Sequence, residues 1–600
     1  MAVPSSPLFG SLAAAALRSL EAEVSSVSLK SGDVLFAAGD PGDALYVVMF
    51  GRLRALRREG SGDRVLGEIG RGESVGEMAL LTGEPRSATV VAIRDSQLMK
   101  LSKPAFDRLA VRDPQMMLEL SRLIISRYQR VIHPAAKAHP VVLAVVPCQD
   151  SVPISEFSAA FAQALAPGAR KILTLDLSAL KKYRGSADGG PSLDLDSTDL
   201  AGWLHEQELT HEFLIYVAEP RPSAWTELCI RQSDLVLLVG TGRAETVEPG
   251  LRPVLETPNA ATGAARELVL LYDSAHQVPS GTAEWLARFP VRAHHHLDPR
   301  LPRDYDRLAR MLTGRAVGLV LGGGGARGLA HIGVIRALEE ARIPIDLVGG
   351  TSIGSIIGGQ CASGWNSARI LSESRRVLVD DGPLNDYTVP AIALIRGKRY
   401  IRMLEKLYAD RRIEDLPIPY FCVSTNLTRS TCMIHRAGFV RKWVAASMAV
   451  PGLGPPIFDG KDILVDGGVL NNLPIDVMRS FGRGPVFASS VSPSTDLSLD
   501  QQYPEIPSPW RVVMSWLNPF GTRLQVPSIA SLLIRAVTLQ GVDSGSRRQA
   551  VADLLFEPPP EGHKLLDWHA LNAIVETGYR SSVPAIERWR GQPAASISPP

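Results

Sequence analysis

The 600-residue chain has only five cysteines, Cys148, Cys229, Cys361, Cys422 and Cys432. They are odd in number and widely scattered, with no short paired spacing, which excludes a disulfide framework and a zinc site. They read as free thiols of a reducing compartment, so a cytoplasmic location is expected. An excess of charge of one sign is lacking too: 64 Lys and Arg face 62 Asp and Glu, a net +2, and no nucleic-acid partner is expected from such a balance. No basic leader precedes the apolar residues near the start, where Leu12 to Leu20 reads as a short helix and not as a signal peptide. Long hydrophobic runs are also missing. The longest stretch without charge, Leu347 to Ala368, contains six glycines and reads as strand, turn and helix, not as a membrane span. The expectation is a soluble protein, at most peripheral to the inner face of a membrane. There is no internal repeat, and no metal site is expected. Three consecutive histidines, His294 to His296, cannot all face one metal from a regular element and read as surface or packing residues.

What is present is ordinary globular material, 45% hydrophobic and 21% charged, too long for one core. Short apolar runs broken by glycine turns such as Gly39-Asp40-Pro41-Gly42-Asp43 fill Val27 to Leu101, the pattern of a β-roll, and apolar positions at helical spacing follow from Lys103 to Ile132. A first domain is placed at 1–135. From 139 to 300, buried-strand candidates (Val141 to Val146, Lys171 to Leu177, Phe213 to Val217, Leu235 to Val239, Leu268 to Tyr272) alternate with amphipathic helices, giving an α/β domain with no phosphate-loop signature that reads as a spacer. Strand and helix alternate again over 314–585, expected to be an α/β domain on a central, mostly parallel sheet. The tail at 588–600 is expected to be disordered.

The chemistry concentrates in this last domain. Gly350-Thr351-Ser352-Ile353-Gly354 lies between an apolar run, Ile345 to Val348, and a helix-compatible run through Cys361, the context of a G-x-S-x-G nucleophile elbow. Upstream, an apolar strand to Leu321 enters Gly322-Gly323-Gly324-Gly325-Ala326-Arg327-Gly328 and then a helix through Leu338. Such a loop offers backbone N–H groups for an oxyanion hole. It also fits a dinucleotide fingerprint, with Glu340 or Asp346 about twenty residues on; the serine elbow directly downstream favours the hydrolase. Asp466-Gly467-Gly468 follows the strand Ile463 to Val465 and puts a carboxylate at a strand end.

Glycine loop, elbow and Asp-Gly-Gly together resemble the patatin-like phospholipases, and through Gly322 to Gly328, Asp346 to Gly354, Ala446 to Pro456 and Asp466 to Pro474 they resemble the neuropathy target esterase branch. Plant patatins carry an acidic residue where this chain, like that branch, has Gly322. The resemblance implies that Ser352 is the nucleophile, Asp466 the general base, and the amides of Gly323, Gly324 and Gly325 the oxyanion hole. It implies a serine esterase acting on phospholipids or lysophospholipids without a required cofactor. An aspartate needs partial burial to serve as a base near neutral pH. Arg327 reads as a structural residue of the loop, with a lipid phosphate as its alternative partner. A Ser-Asp-His triad stays as the second reading, with His563 and His569 the only histidines after Asp466. Trp510 to Phe520 and Ile529 to Ile534 read as buried, with lipid contact as the alternative.

Near the start, Gly76-Glu77-Met78-Ala79-Leu80-Leu81-Thr82-Gly83-Glu84-Pro85-Arg86-Ser87-Ala88-Thr89 resembles the phosphate-binding cassette of cyclic-nucleotide-binding domains. The resemblance gives Glu77 the ribose hydroxyl and Arg86 the cyclic phosphate, with Gly76 and Ser87 beside them, and makes cAMP or cGMP the expected regulator. A non-binding regulatory or scaffold module is the alternative.

Overall fold

A computed structural model of the chain describes residues 24–59, 62–112, 141–168, 171–183, 197–242, 247–251, 264–275, 278–382, 386–389, 392–491, 552–559 and 566–591, with a few isolated positions between them. The readings of Leu12 to Leu20, of Ile529 to Ile534, of most of Trp510 to Phe520 and of the tail beyond 591 lie outside the described residues, while 588–590, expected to be disordered, close the helix Leu571–Arg590. The chain divides into two compact units, one holding residues up to 277 and 284–306, the other 278–283 and residues from 307 on.

The first unit contains two sheet systems. Its N-terminal part is a β-roll of two four-stranded antiparallel sheets, one ordered Val24–Leu29, Ser96–Ser102, Ala44–Phe50, Ser74–Val75 and the other Val34–Phe36, Thr89–Ala92, Leu53–Glu59, Gly62–Ile69. Ala44, Val48, Leu53, Val90, Ala92 and Leu98 fill its core. A short helix, Glu77–Thr82, enters from Gly76, whose φ of 91° is the left-handed conformation that glycine tolerates. The second part is a six-stranded parallel sheet ordered Ile172–Leu175, Phe213–Val217, Val141–Pro147, Leu235–Thr241, Ala265–Leu271, Ala293–Leu297. The strand expected to reach Leu177 stops at Leu175, because the Asp176 carboxylate accepts the Ala179 amide at 2.6 Å and starts the helix Leu177–Tyr183. His294 to His296 lie on the edge strand. His295 is buried, its Nε2 2.7 Å from Glu267, a packing role as expected.

The second unit is built on β1 (Gly318–Leu321), β2 (Leu347–Gly350), β3 (Tyr420–Asn426), β4 (Thr431–His435), β5 (Ile457–Asp459), β6 (Asp462–Asp466), β7 (Val486–Ser489) and β8 (Leu554–Phe556). They order as β5-β6-β3-β2-β1-β7-β8, with β4 hydrogen-bonded to β3. The core β3-β2-β1-β7-β8 is parallel, and β4, β5 and β6 add antiparallel pairings at one edge. Helices α1 (Ala330–Glu340), α2 (Ile353–Ala362), α3 (Val440–Met448) and α4 (Leu571–Arg590) cover the sheet. Ile332, Ile335, Ile356, Ile357, Ile574 and Val575 belong to one continuous apolar core. This arrangement brings the ends of β1, β2 and β6 together.

Candidate active site

Ser352 sits between β2 and α2 with φ 55° and ψ −125°, a backbone region costly to a residue with a Cβ. The flanking glycines make the turn sterically possible. A Cβ on Gly350 would stand 2.3 Å from the Gly354 carbonyl oxygen, and one on Gly354 would stand 2.2 Å from that of Leu321. The Ser352 amide donates to Ser447 Oγ on α3 at 3.0 Å, and the Ser355 hydroxyl donates to the Ser352 carbonyl at 2.5 Å. The elbow is therefore held from both sides while its side chain remains partly exposed.

Asp466 ends β6 and is 5% exposed. Its Oδ1 accepts the Gly468 amide at 2.7 Å, and the Ser352 side chain is its other hydrogen-bond partner. Burial pushes its pKa up to about 6, against the opposing pull of those two hydrogen bonds. The carboxylate thus meets the requirement for a base working near neutrality.

The glycine loop follows β1. His331, fully buried on α1, binds the Gly322 carbonyl through Nε2 and Ser489 Oγ through Nδ1, both at 2.9 Å. Since a carbonyl can only accept, Nε2 carries the proton and Nδ1 accepts from the serine. Burial pushes the His331 pKa down to about 4, so the ring stays neutral. The Gly323 amide donates to the Asn472 carbonyl at 3.3 Å. This removes Gly323 from the three expected oxyanion donors, because its N–H is turned to the backbone and the residue is buried. Gly324 and Gly325 are partly exposed, and their amides have no backbone acceptor among the described residues.

Several alternatives lose their residues to other work. Asp346, an acid of the dinucleotide reading, takes both Arg310 nitrogens at 2.8 and 2.9 Å and the Val317 amide at 3.0 Å. Glu340, the other, accepts from Tyr579 at 2.6 Å. Arg327 donates to the His563 carbonyl at 2.9 Å, the structural role expected of it. Neither His563 nor His569 is among the groups acting on Asp466. Trp510 and Met514 are exposed, 78% and 63%, against the burial expected for that segment. Among the described residues no group of His, Cys, Asp or Glu could hold a metal ion, and no helix is long and apolar enough to cross a membrane.

Residues 319–479 match the family described as patatin-like phospholipase, 141–302 the neuropathy target esterase family P-loop like domain, and 26–113 the cyclic nucleotide-binding domain. Patatin-like phospholipase domain-containing protein 6 of Homo sapiens is 32% identical over 96% of this chain and 45% of its own length. Lysophospholipase NTE1 of Mycosarcoma maydis is 32% identical over 94% of this chain and 34% of its own length. Most of the chain is thus similar to patatin-like phospholipases of the neuropathy target esterase branch. It spans under half the length of these curated relatives.

In the region that matches the cyclic nucleotide-binding domain, both cassette residues are buried. Glu77 is buried at the start of its helix. Arg86 is buried across the ring of Phe36, 4.2 Å from its centroid, and donates to the carbonyls of Gly76 (2.9 Å) and Ala44 (2.8 Å) and to Asp43 (3.1 Å). Gly76 lies against the Arg86 guanidinium, and Ser87 is exposed. Sequence reasoning missed Asn472, His331, Ser447 and Ser489. The pair Asn471-Asn472, separated from Asp-Gly-Gly by two residues, was the one local signal available.

Proposed function

We propose that the chain hydrolyses carboxylic esters of phospholipids and lysophospholipids through a Ser352–Asp466 dyad. The observation that carries this is the pairing of a serine at a strained elbow with a buried carboxylate whose pKa lies near 6. Asp466 takes the Ser352 hydroxyl proton as Oγ attacks the acyl carbonyl, and the Gly324 and Gly325 amides receive the oxyanion. Collapse of the tetrahedral intermediate expels the alkoxide, which takes the proton back from Asp466. Water, deprotonated by Asp466, then attacks acyl-Ser352, and collapse of the second tetrahedral intermediate releases the fatty acid as Ser352 Oγ takes the proton back from Asp466. The preference for a lysophospholipid over a simple neutral ester rests on the name of the fungal relative. A fluorophosphonate should label Ser352, and Ser352→Ala should abolish both labelling and lysophosphatidylcholine hydrolysis. Turnover retained by a folded Ser352→Ala protein would refute the assignment.

The β-roll supports a second role, binding of cAMP or cGMP through Glu77 and Arg86. Because Asp43 already faces the Arg86 guanidinium, an incoming phosphate exchanges one anion for another and gains only the difference. Calorimetry with cAMP and with cGMP, on wild type and Arg86→Ala, tests it: heat with wild type alone is expected, and none with either nucleotide leaves the roll a docking module.

A further inference from the structure

The peptide groups of the glycine loop are not free to choose where they point. The Gly322 carbonyl is held by His331 and the Gly323 amide by the Asn472 carbonyl. The next carbonyl, that of Gly323, accepts from Asn472 Nδ2 at 3.2 Å, a bond between residues 149 positions apart. A trans peptide is planar, so its C=O and the following N–H point in opposite directions. Fixing the Gly323 carbonyl toward Asn472 therefore fixes the Gly324 N–H away from Asn472. Gly323 also lies beside the nucleophile: a Cβ built on it would lie 3.1 Å from Ser352 Cβ and 2.5 Å from Asn472 Oδ1. Asn472 is buried, and it sits on the same turn that carries Asp466: a Cβ on Gly468 would lie 2.9 Å from Asn472 Oδ1 and 3.0 Å from Asp466 Oδ1. Its neighbour Asn471 ties the elbow to this turn by accepting the Thr351 hydroxyl at 3.2 Å.

We infer that Asn472 is a positioning residue for the oxyanion hole, aiming the Gly324 amide at the carbonyl oxygen that Ser352 attacks. The inference rests on the proposed dyad and deepens it. The segment after Asp466 then sets two elements of one reaction, the base and the direction of the oxyanion donor. The chemistry needs this coupling, since proton removal and oxyanion capture occur in the same step.

The test is Asn472→Asp, of the same shape but with a carboxylate that cannot donate to the Gly323 carbonyl and repels it. Asn472→Ala, which leaves that carbonyl unanchored, is the second variant should the first not fold. Hydrolysis of lysophosphatidylcholine is expected to lose about 10²- to 10³-fold in kcat with KM changed less than about threefold, the scale of removing one oxyanion donor. Affinity for an alkylboronic acid, whose adduct with Ser352 is tetrahedral and anionic, should fall by a similar factor. A merely structural role would leave the boronic acid affinity of the folded protein unchanged. Wild-type kcat and boronic acid affinity in a folded variant would overturn the inference. Ser352→Ala measured alongside separates the two failures: turnover there refutes the dyad, while its loss with unaffected Asn472 variants refutes only the positioning role.

Discussion

Two parallel sheets in this chain begin alike, with an apolar strand, a short loop and a helix, and end differently. In the patatin-like domain the loop after Gly318–Leu321 is glycine-rich and leaves the Gly324 and Gly325 amides without a backbone acceptor among the described residues. In the middle domain the loop after Val141–Pro147, the central strand where such a sheet would take a ligand, reads Cys148-Gln149-Asp150-Ser151-Val152-Pro153 and has no glycine. There Gln149, buried, donates to the Thr241 carbonyl at 2.8 Å and accepts the Thr241 amide at 3.1 Å. The side chain stitches together the ends of two strands that an anion site would leave open. Both architectures belong to ligand-binding fold types, and the difference lies in whether backbone donors remain uncommitted.

The sharpest way to break that contrast is to disable the open loop's partner. Asp466→Asn keeps the shape and the bond to the Gly468 amide but removes the base, so turnover should fall by at least about 10³-fold. The same variant should be more stable than wild type near neutral pH. The folded pKa, about 6, lies above the ordinary value of 3.8. The native state thus binds the proton more tightly, and stability declines as pH rises between those values and stays reduced above them. The gain, on the order of 1–3 kcal/mol at about pH 8 and vanishing below the ordinary carboxyl pKa, is read by urea unfolding at the two extremes. Equal stability of variant and wild type at the higher pH would contradict the buried-base account.

A smaller effect comes from pH alone. Esterase kcat/KM should rise about tenfold per pH unit below the Asp466 pKa and level off above about 6, because only the ionised carboxylate accepts the serine proton. His331, neutral above about 4, adds nothing to that limb. A flat profile from about pH 5 to 8 in a stable protein would assign the proton to another group.

The elbow, the glycine loop and the Asp-Gly-Gly turn were legible in the sequence because each is local, with its steric demands carried by neighbouring residues. Gly350 and Gly354 are needed by backbone within a few positions or by the adjacent strand, and apolar spacing marks that strand and helix. Which glycine amide faces the substrate was not legible. Of the three amides expected as donors, that of Gly323 is engaged by the Asn472 carbonyl from across the fold. His331 and Ser447 were invisible for the same reason: their bonds to Gly322 and Ser352 depend on which helix face meets which loop. The middle domain's strands were read nearly in place, while the stitch between Gln149 and Thr241 joins residues 92 positions apart.

That stitch supplies the third prediction, smaller again and confined to stability. Gln149→Ala strands two backbone groups of Thr241 and should cost about 1–3 kcal/mol, measured by thermal or urea unfolding. If the middle domain is a scaffold, esterase kcat and KM should be unchanged at temperatures where the variant is folded. A change in kcat with folding intact would mean that this closed loop takes part in the function of the open one.

The smallest expected effect is on the histidines downstream of Asp466. In a Ser-Asp-His triad the carboxylate orients an imidazole, and the imidazole takes the serine proton. Here the Ser352 side chain acts on Asp466 directly, and His563 meets the site's surroundings through its backbone carbonyl, which Arg327 holds. A substitution of the His563 side chain leaves that carbonyl in place. His563→Ala and His569→Ala should therefore each change lysophosphatidylcholine hydrolysis less than about twofold, whereas Arg327→Ala, which releases the glycine loop from that carbonyl, should lower it more. Loss of activity in either histidine variant as complete as in Asp466→Asn would replace the dyad by a triad and make the Asp466 pKa a property of an imidazole partner.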